Sequence, residues 1–165
     1  MQRYGTKLLG HPVHPMLVVF PLGLLITSLI LDFIRLGTGD GMWSLVAEYM
    51  IGAGVVGGLL AAVFGLLDWL AIPKGTRAKA IGIWHGLGNV VVVLLFIASW
   101  FLRLPSPRQP GNAALVLSIV GVCVGAVSGW LGGELVDRLG IGVDDGANPD
   151  APSSLSHEPA SRRAV

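Results

Sequence analysis

Charge and cysteine are both scarce in this chain. Only 13% of its 165 residues are charged, where a soluble domain carries about a quarter. Mean hydropathy is +0.72. Together these values exclude an ordinary water-soluble fold and predict a membrane protein. The single cysteine, Cys123, lies in an apolar run, so an intramolecular disulfide is excluded and a thiolate metal centre has no ligand set. A formal net charge of +1, with no basic run outside the loops, leaves no electrostatic footprint for nucleic acid. A nucleophile-elbow motif and a phosphate loop are both missing, and the serine adjoining a histidine (Ser156 before His157) sits in a polar tail. Nothing therefore points to an enzyme.

What is present is length of apolar run. At about 20 apolar residues per span, the pattern predicts an all-α transmembrane four-helix bundle. The expected helices cover about 15–36, 44–72, 80–104 and 113–139, in one domain over 1–142. Residues 143–165 turn polar and rich in Pro, Ser and Ala, and are expected to form a disordered tail. That expectation removes His157 as a ligand. Met1 to Leu31 is expected to stay as a helix. It is too long for a signal-peptide core, and His-Pro-Val-His-Pro interrupts the approach to it. Pro21 deprives the Leu17 carbonyl of its amide partner, which predicts a kink.

Lys and Arg divide unevenly between the two sets of connections. One side collects Arg3, Lys7, Lys74, Arg77, Lys79, Arg138, Arg162 and Arg163; the other collects Arg35, Arg103 and Arg108. The positive-inside rule then places both termini in the cytoplasm, in a plasma (inner) membrane. The tryptophans fit two interfacial belts, Trp43 and Trp100 outside, and Trp69, Trp84 and Trp130 inside. Gly121, Gly125, Gly129 and Gly133 recur every four residues, as do Gly57, Ala61 and Gly65, while Gly82 and Gly86 open helix three. Such stripes let backbones approach closely in lipid; a flat cofactor lying on them is the lesser reading.

Ionisable groups inside spans are costly, at about 2.5–3.5 kcal/mol for a charge at a helix centre. Here they fall at one depth: His11 and His14 entering helix one, Asp68 near the end of helix two, His85 early in helix three, and Glu134 late in helix four. Asp68 and His85 stand at similar height on two arms of a hairpin, where an Asp–His contact is natural. Asn89 lies one turn above His85 on the same face. Asp32 is about 27 Å from His14 by helical rise and belongs to the outer rim, facing Arg35 or the start of helix two.

Two readings of this layer stay open. In one it is a structural network, with His11 wetted in the headgroup region, Glu134 paired to Arg138 and Asp137 solvated. In the other it ligates. His14 and His85 would hold b-type haem, or His11, His14, Asp68, His85 and Glu134 a divalent metal, since neutral imidazoles and carboxylates suit both. Without sulfur ligands, iron–sulfur clusters and Cu(I) are disfavoured. A proton or small-ion transport element and a structural subunit of a membrane complex are the alternatives. The glycine stripes favour the second, and beyond the layer only Thr27, Ser28, Ser99 and Ser118 could continue a path for the first.

HPVHPMLVVFPLGL with the following LD, GLLDWLAIP, a histidine with Asn four later, and GWLGGELVDRLGIGV together resemble the bacterial four-helix membrane family catalogued as domain of unknown function 2231. The similarity runs from about Gly10 to Val143, and HPxHP and GGEL are its specific parts. It implies a fold and a membrane location but no activity. It also implies that His11, His14, Asp32, Asp68, His85 and Glu134 fall on motif positions. Relatives joined to Rieske-type iron–sulfur domains imply a redox setting with a redox partner; this chain carries no such domain. A second copy of the chain is the other expected partner, beside the bilayer.

Overall fold

The computed structural model describes residues 5–162. Four long helices make up the molecule: α1 Val13–Thr38, α2 Met42–Ala71, α3 Arg77–Arg103 and α4 Asn112–Gly133, the last extended by a π-helical turn over Glu134–Arg138. All four are long and apolar enough to cross a bilayer. Large apolar side chains such as Phe20, Leu66 and Val127 point outward, the inverse of a soluble fold and the arrangement lipid demands.

The helices begin slightly earlier than the apolar runs alone indicate. Pro15 is tolerated in the first turn of α1, where amides have no intrahelical partner. Thr76 caps α3, its hydroxyl accepting from the Lys79 amide at 3.2 Å. At the other end of α1, Gly39 adopts φ +73°, and its amide reaches the Arg35 carbonyl at 2.8 Å, the left-handed stop that glycine permits. Pro21 lies inside α1 without ending it. A short antiparallel hairpin precedes α1, β1 Lys7–Leu8 against β2 His11–Pro12. After α4 the chain is mostly turns, with one 3₁₀ turn at Ser154–Ser156. This segment returns to the hairpin, where Lys7 pairs with Asp144 and the Ser154 hydroxyl donates to the Leu9 carbonyl at 3.1 Å. The segments before α1 and after α4 thus meet at one end of the bundle.

α1 packs mainly on α2 and α3 on α4; α2–α3 and α1–α4 contacts close the bundle. The two hairpins are repeats of one another. His14, Leu25, Ser28 and Asp32 on α1 have the same mutual spacings as His85, Phe96, Ser99 and Arg103 on α3. Ala47, Ile51, Gly54, Ala61 and Gly65 on α2 likewise match Ala114, Ser118, Gly121, Ser128 and Gly132 on α4. The contacts repeat with the spacing: Leu25 fills the space a Gly54 side chain would need, and Phe96 does so at Gly121. Equivalent residues of α1 and α3 meet each other at both ends, so α1 and α3 run parallel about a pseudo-twofold axis along the bundle. Midway along it lies the apolar cluster Leu25, Ile51, Val92 and Phe96.

Candidate functional site

The first end is built on two imidazoles. His14 sits in the first turn of α1, and its Nδ1 lies 2.8 Å from the Ala61 carbonyl of α2. A side chain on Gly65 would come within 2.9 Å of the His14 Cε1, so the ring rests on bare helix backbone one turn beyond the carbonyl it bonds. His85 repeats this on the other hairpin: Nδ1 is 2.8 Å from the Ser128 carbonyl, and a Gly132 side chain would reach within 3.0 Å of its Cε1. A Cβ at either seat would have to displace the ring, so glycine is what lets each imidazole lie this close to the helix. The Ser128 hydroxyl also donates to the His85 carbonyl at 3.0 Å.

A backbone carbonyl only accepts, so Nδ1 carries the hydrogen in both rings and each neutral imidazole keeps its lone pair on Nε2. The rings meet edge-on, centroids 6.2 Å apart and planes at 88°. Asn89, one turn along α3, places Nδ2 at 3.1 Å from the His85 Nε2. With that nitrogen unprotonated, the amide donates.

The carboxylates expected beside these rings have other partners. Asp68 accepts from the Thr6 amide at 2.6 Å and packs against Gly5, so it anchors the N-terminal hairpin instead of meeting His85. Glu134 accepts from Arg77 at 2.6 Å, at the start of the neighbouring α3, and not from Arg138. His11 is exposed on β2, its Nε2 3.4 Å from the Ser154 hydroxyl. Asp137 is exposed. Residues from all four helices share this end, but among the described residues no three His, Cys, Asp or Glu side chains gather as a metal cluster. His14 and His85 are the pair brought together.

The glycine stripe of α4 also divides. A four-residue step drifts by roughly 40° around a helix. Gly121 therefore packs on Phe96 and Gly125 on Val92, while Gly129 and Gly133 face open space and the imidazole seat falls to Gly132. On α2, Gly57 meets Phe20 and Pro21 of α1, and Gly65 seats His14, so that stripe packs along its length.

The opposite end holds a second pair, which the spacing rule above would have found. Arg103 was expected in an outer loop, yet it is fully buried at the end of α3. Its Nη1 and Nη2 meet the two oxygens of Asp32 at 2.8 and 2.6 Å. Ser44, at the start of α2, donates to Asp32 at 3.2 Å, so that part of the expectation holds, but Arg35 is not the partner. Ser99 and Ser118 each accept from Arg103 at 3.3 Å and share a 2.9 Å bond. Every polar atom of the pair is engaged, which makes it a closed structural lock.

The profile of the family described as predicted membrane protein, DUF2231, matches residues 10–145. The chain belongs to the DUF2231 family. That span takes in both repeats and both polar pairs, and leaves out most of the segment after α4. As a DUF2231 protein with four spanning helices, the chain is embedded in a lipid bilayer. No curated protein and no solved structure matches it.

Proposed function

We propose that the His14–His85 pair is a two-histidine ligand site, holding b-type haem iron or a divalent transition-metal ion at the cytoplasmic end of an inner-membrane bundle. The observation that carries this reading is the matched treatment of the two rings. Each Nδ1–H is tied to a carbonyl on a neighbouring helix, the outer-sphere bond that fixes tautomer and orientation in ligating histidines. This leaves one Nε2 lone pair on each of two rings that meet across the repeats. Metal–nitrogen bonds of 2.0–2.1 Å put two imidazole centroids roughly 5–6 Å apart across one ion, close to the 6.2 Å seen.

A proton or ion path is the weaker reading, because the apolar cluster of Leu25, Ile51, Val92 and Phe96 separates the two polar layers. Orientation follows the cations: Lys7, Lys74, Arg77, Lys79 and Arg138 lie at the histidine end, and with Arg103 buried only Arg35 and Arg108 oppose them (Arg3 and Arg163 lie outside the described residues). Cytoplasmic termini follow, by the positive-inside rule. In a redox role the centre would exchange electrons with a partner at that end. The test is an absorption spectrum and elemental analysis of protein purified gently from its own host. A Soret band or stoichiometric metal, lost in His85→Ala, supports the proposal; colourless, metal-free protein overturns it.

A further inference from the structure

The two halves of the histidine site differ at the ring-bonding position, Ala61 on α2 against Ser128 on α4, and at the residue one turn beyond each ring. Four residues beyond His14 on α1 stands Val18; four beyond His85 on α3 stands Asn89. We infer that Asn89 masks the second ligand of the site and so sets its affinity for a transition-metal ion, an inference that rests on the ligand-site reading above. The Ser128 carbonyl holds the hydrogen of His85 on Nδ1, and Asn89 then donates to the Nε2 lone pair at 3.1 Å. A metal taking that lone pair has to displace the amide. Among the described residues nothing bonds the His14 Nε2, and the apolar Val18 cannot. His14 is therefore the open ligand and His85 the guarded one, and an ion that engages both must first turn Asn89 aside. Borderline divalent ions such as Co²⁺ and Zn²⁺, which favour imidazole, are the class the site would take.

The test is a Co²⁺ titration of the full chain in detergent, followed by visible absorption, comparing wild type with Asn89→Val, which copies the α1 environment. One net hydrogen bond is at stake, so Asn89→Val should bind Co²⁺ between about two- and tenfold more tightly at the same stoichiometry. His85→Ala in the Asn89→Val background should abolish that gain. Asn89→Ala, which introduces no branching, should tighten binding in the same direction. Unchanged or weaker Co²⁺ binding in both Asn89 variants overturns the inference while leaving the ligand-site reading intact, a weakening marking the amide as a ligand itself. Uptake by the variants but not by wild type supports masking in its strongest form. No uptake by any of the three contradicts the ligand-site reading and this inference together.

Discussion

Arg103 reaches across the bundle axis to place two guanidinium nitrogens on the two oxygens of Asp32, at 2.8 and 2.6 Å. The two residues hold equivalent positions in the two hairpins, so the contact joins the repeats where His14 and His85 join them at the other end. In one layer the repeat has kept like residues; in the other it has diverged into opposite charges.

Breaking that lock from one side should be severe. Arg103→Ala leaves a buried carboxylate unpaired, and such losses cost about 3–5 kcal/mol. Thermal unfolding in detergent should show it as a large fall in midpoint. Replacing both members with apolar side chains (Asp32→Leu with Arg103→Met) should recover most of the loss, because the unpaired charge goes with its partner. A double variant no more stable than Arg103→Ala would show that the pair does more than neutralise itself.

The glycine seats give a second expectation. Gly65→Ala and Gly132→Ala each press a methyl into an imidazole, at 2.9 and 3.0 Å from the ring. Overpacking of this kind costs about 1–3 kcal/mol. Gly129→Ala, on the same helix as Gly132 but facing open space, should change stability little. Comparing the three by unfolding in detergent separates the seats from the stripe.

These contrasts also show what the sequence could carry. The helices were legible because four apolar runs separated by turn residues admit little else. The depth of His14, His85 and Asn89 followed from counting residues, and Asn89 does meet His85. Which face each residue takes was harder. Asp68 was placed beside His85 from their similar heights, but height does not fix rotation about the helix, and the Thr6 amide, just before a two-residue strand, held it first. Arg103 was counted with the loop cations because a span-end arginine normally reaches out to the interface. Its burial becomes legible only when α3 is laid on α1 in register. Gly132 was passed over for the more regular stripe beside it.

Asp68 gives a third expectation. Its bond to the Thr6 amide ties the N-terminal hairpin to α2, so Asp68→Ala should free that hairpin at a cost of about 0.5–1.5 kcal/mol. Limited proteolysis should cut near residues 5–10 faster in the variant, with the helices still protected. An unchanged cleavage rate would show that Lys7–Asp144 and the Ser154 contact hold the hairpin without it.

Orientation is tested by single cysteines placed in a Cys123→Ala background. Cysteine at Lys74 should react with a membrane-impermeant maleimide only in inverted membrane vesicles, and cysteine at Gly39 only in intact cells stripped of their outer barrier. The reverse pattern would turn the bundle over and place the histidine end outside.

The central claim is that one bound ion draws on both hairpins through His14 and His85. Pulsed electron paramagnetic resonance of the full chain loaded with one equivalent of Cu²⁺ measures this directly, because the remote nitrogen of each ligating imidazole modulates the echo. The account predicts modulation from two imidazoles in wild type and from one in both His14→Ala and His85→Ala. Spectra identical across the three proteins would contradict it.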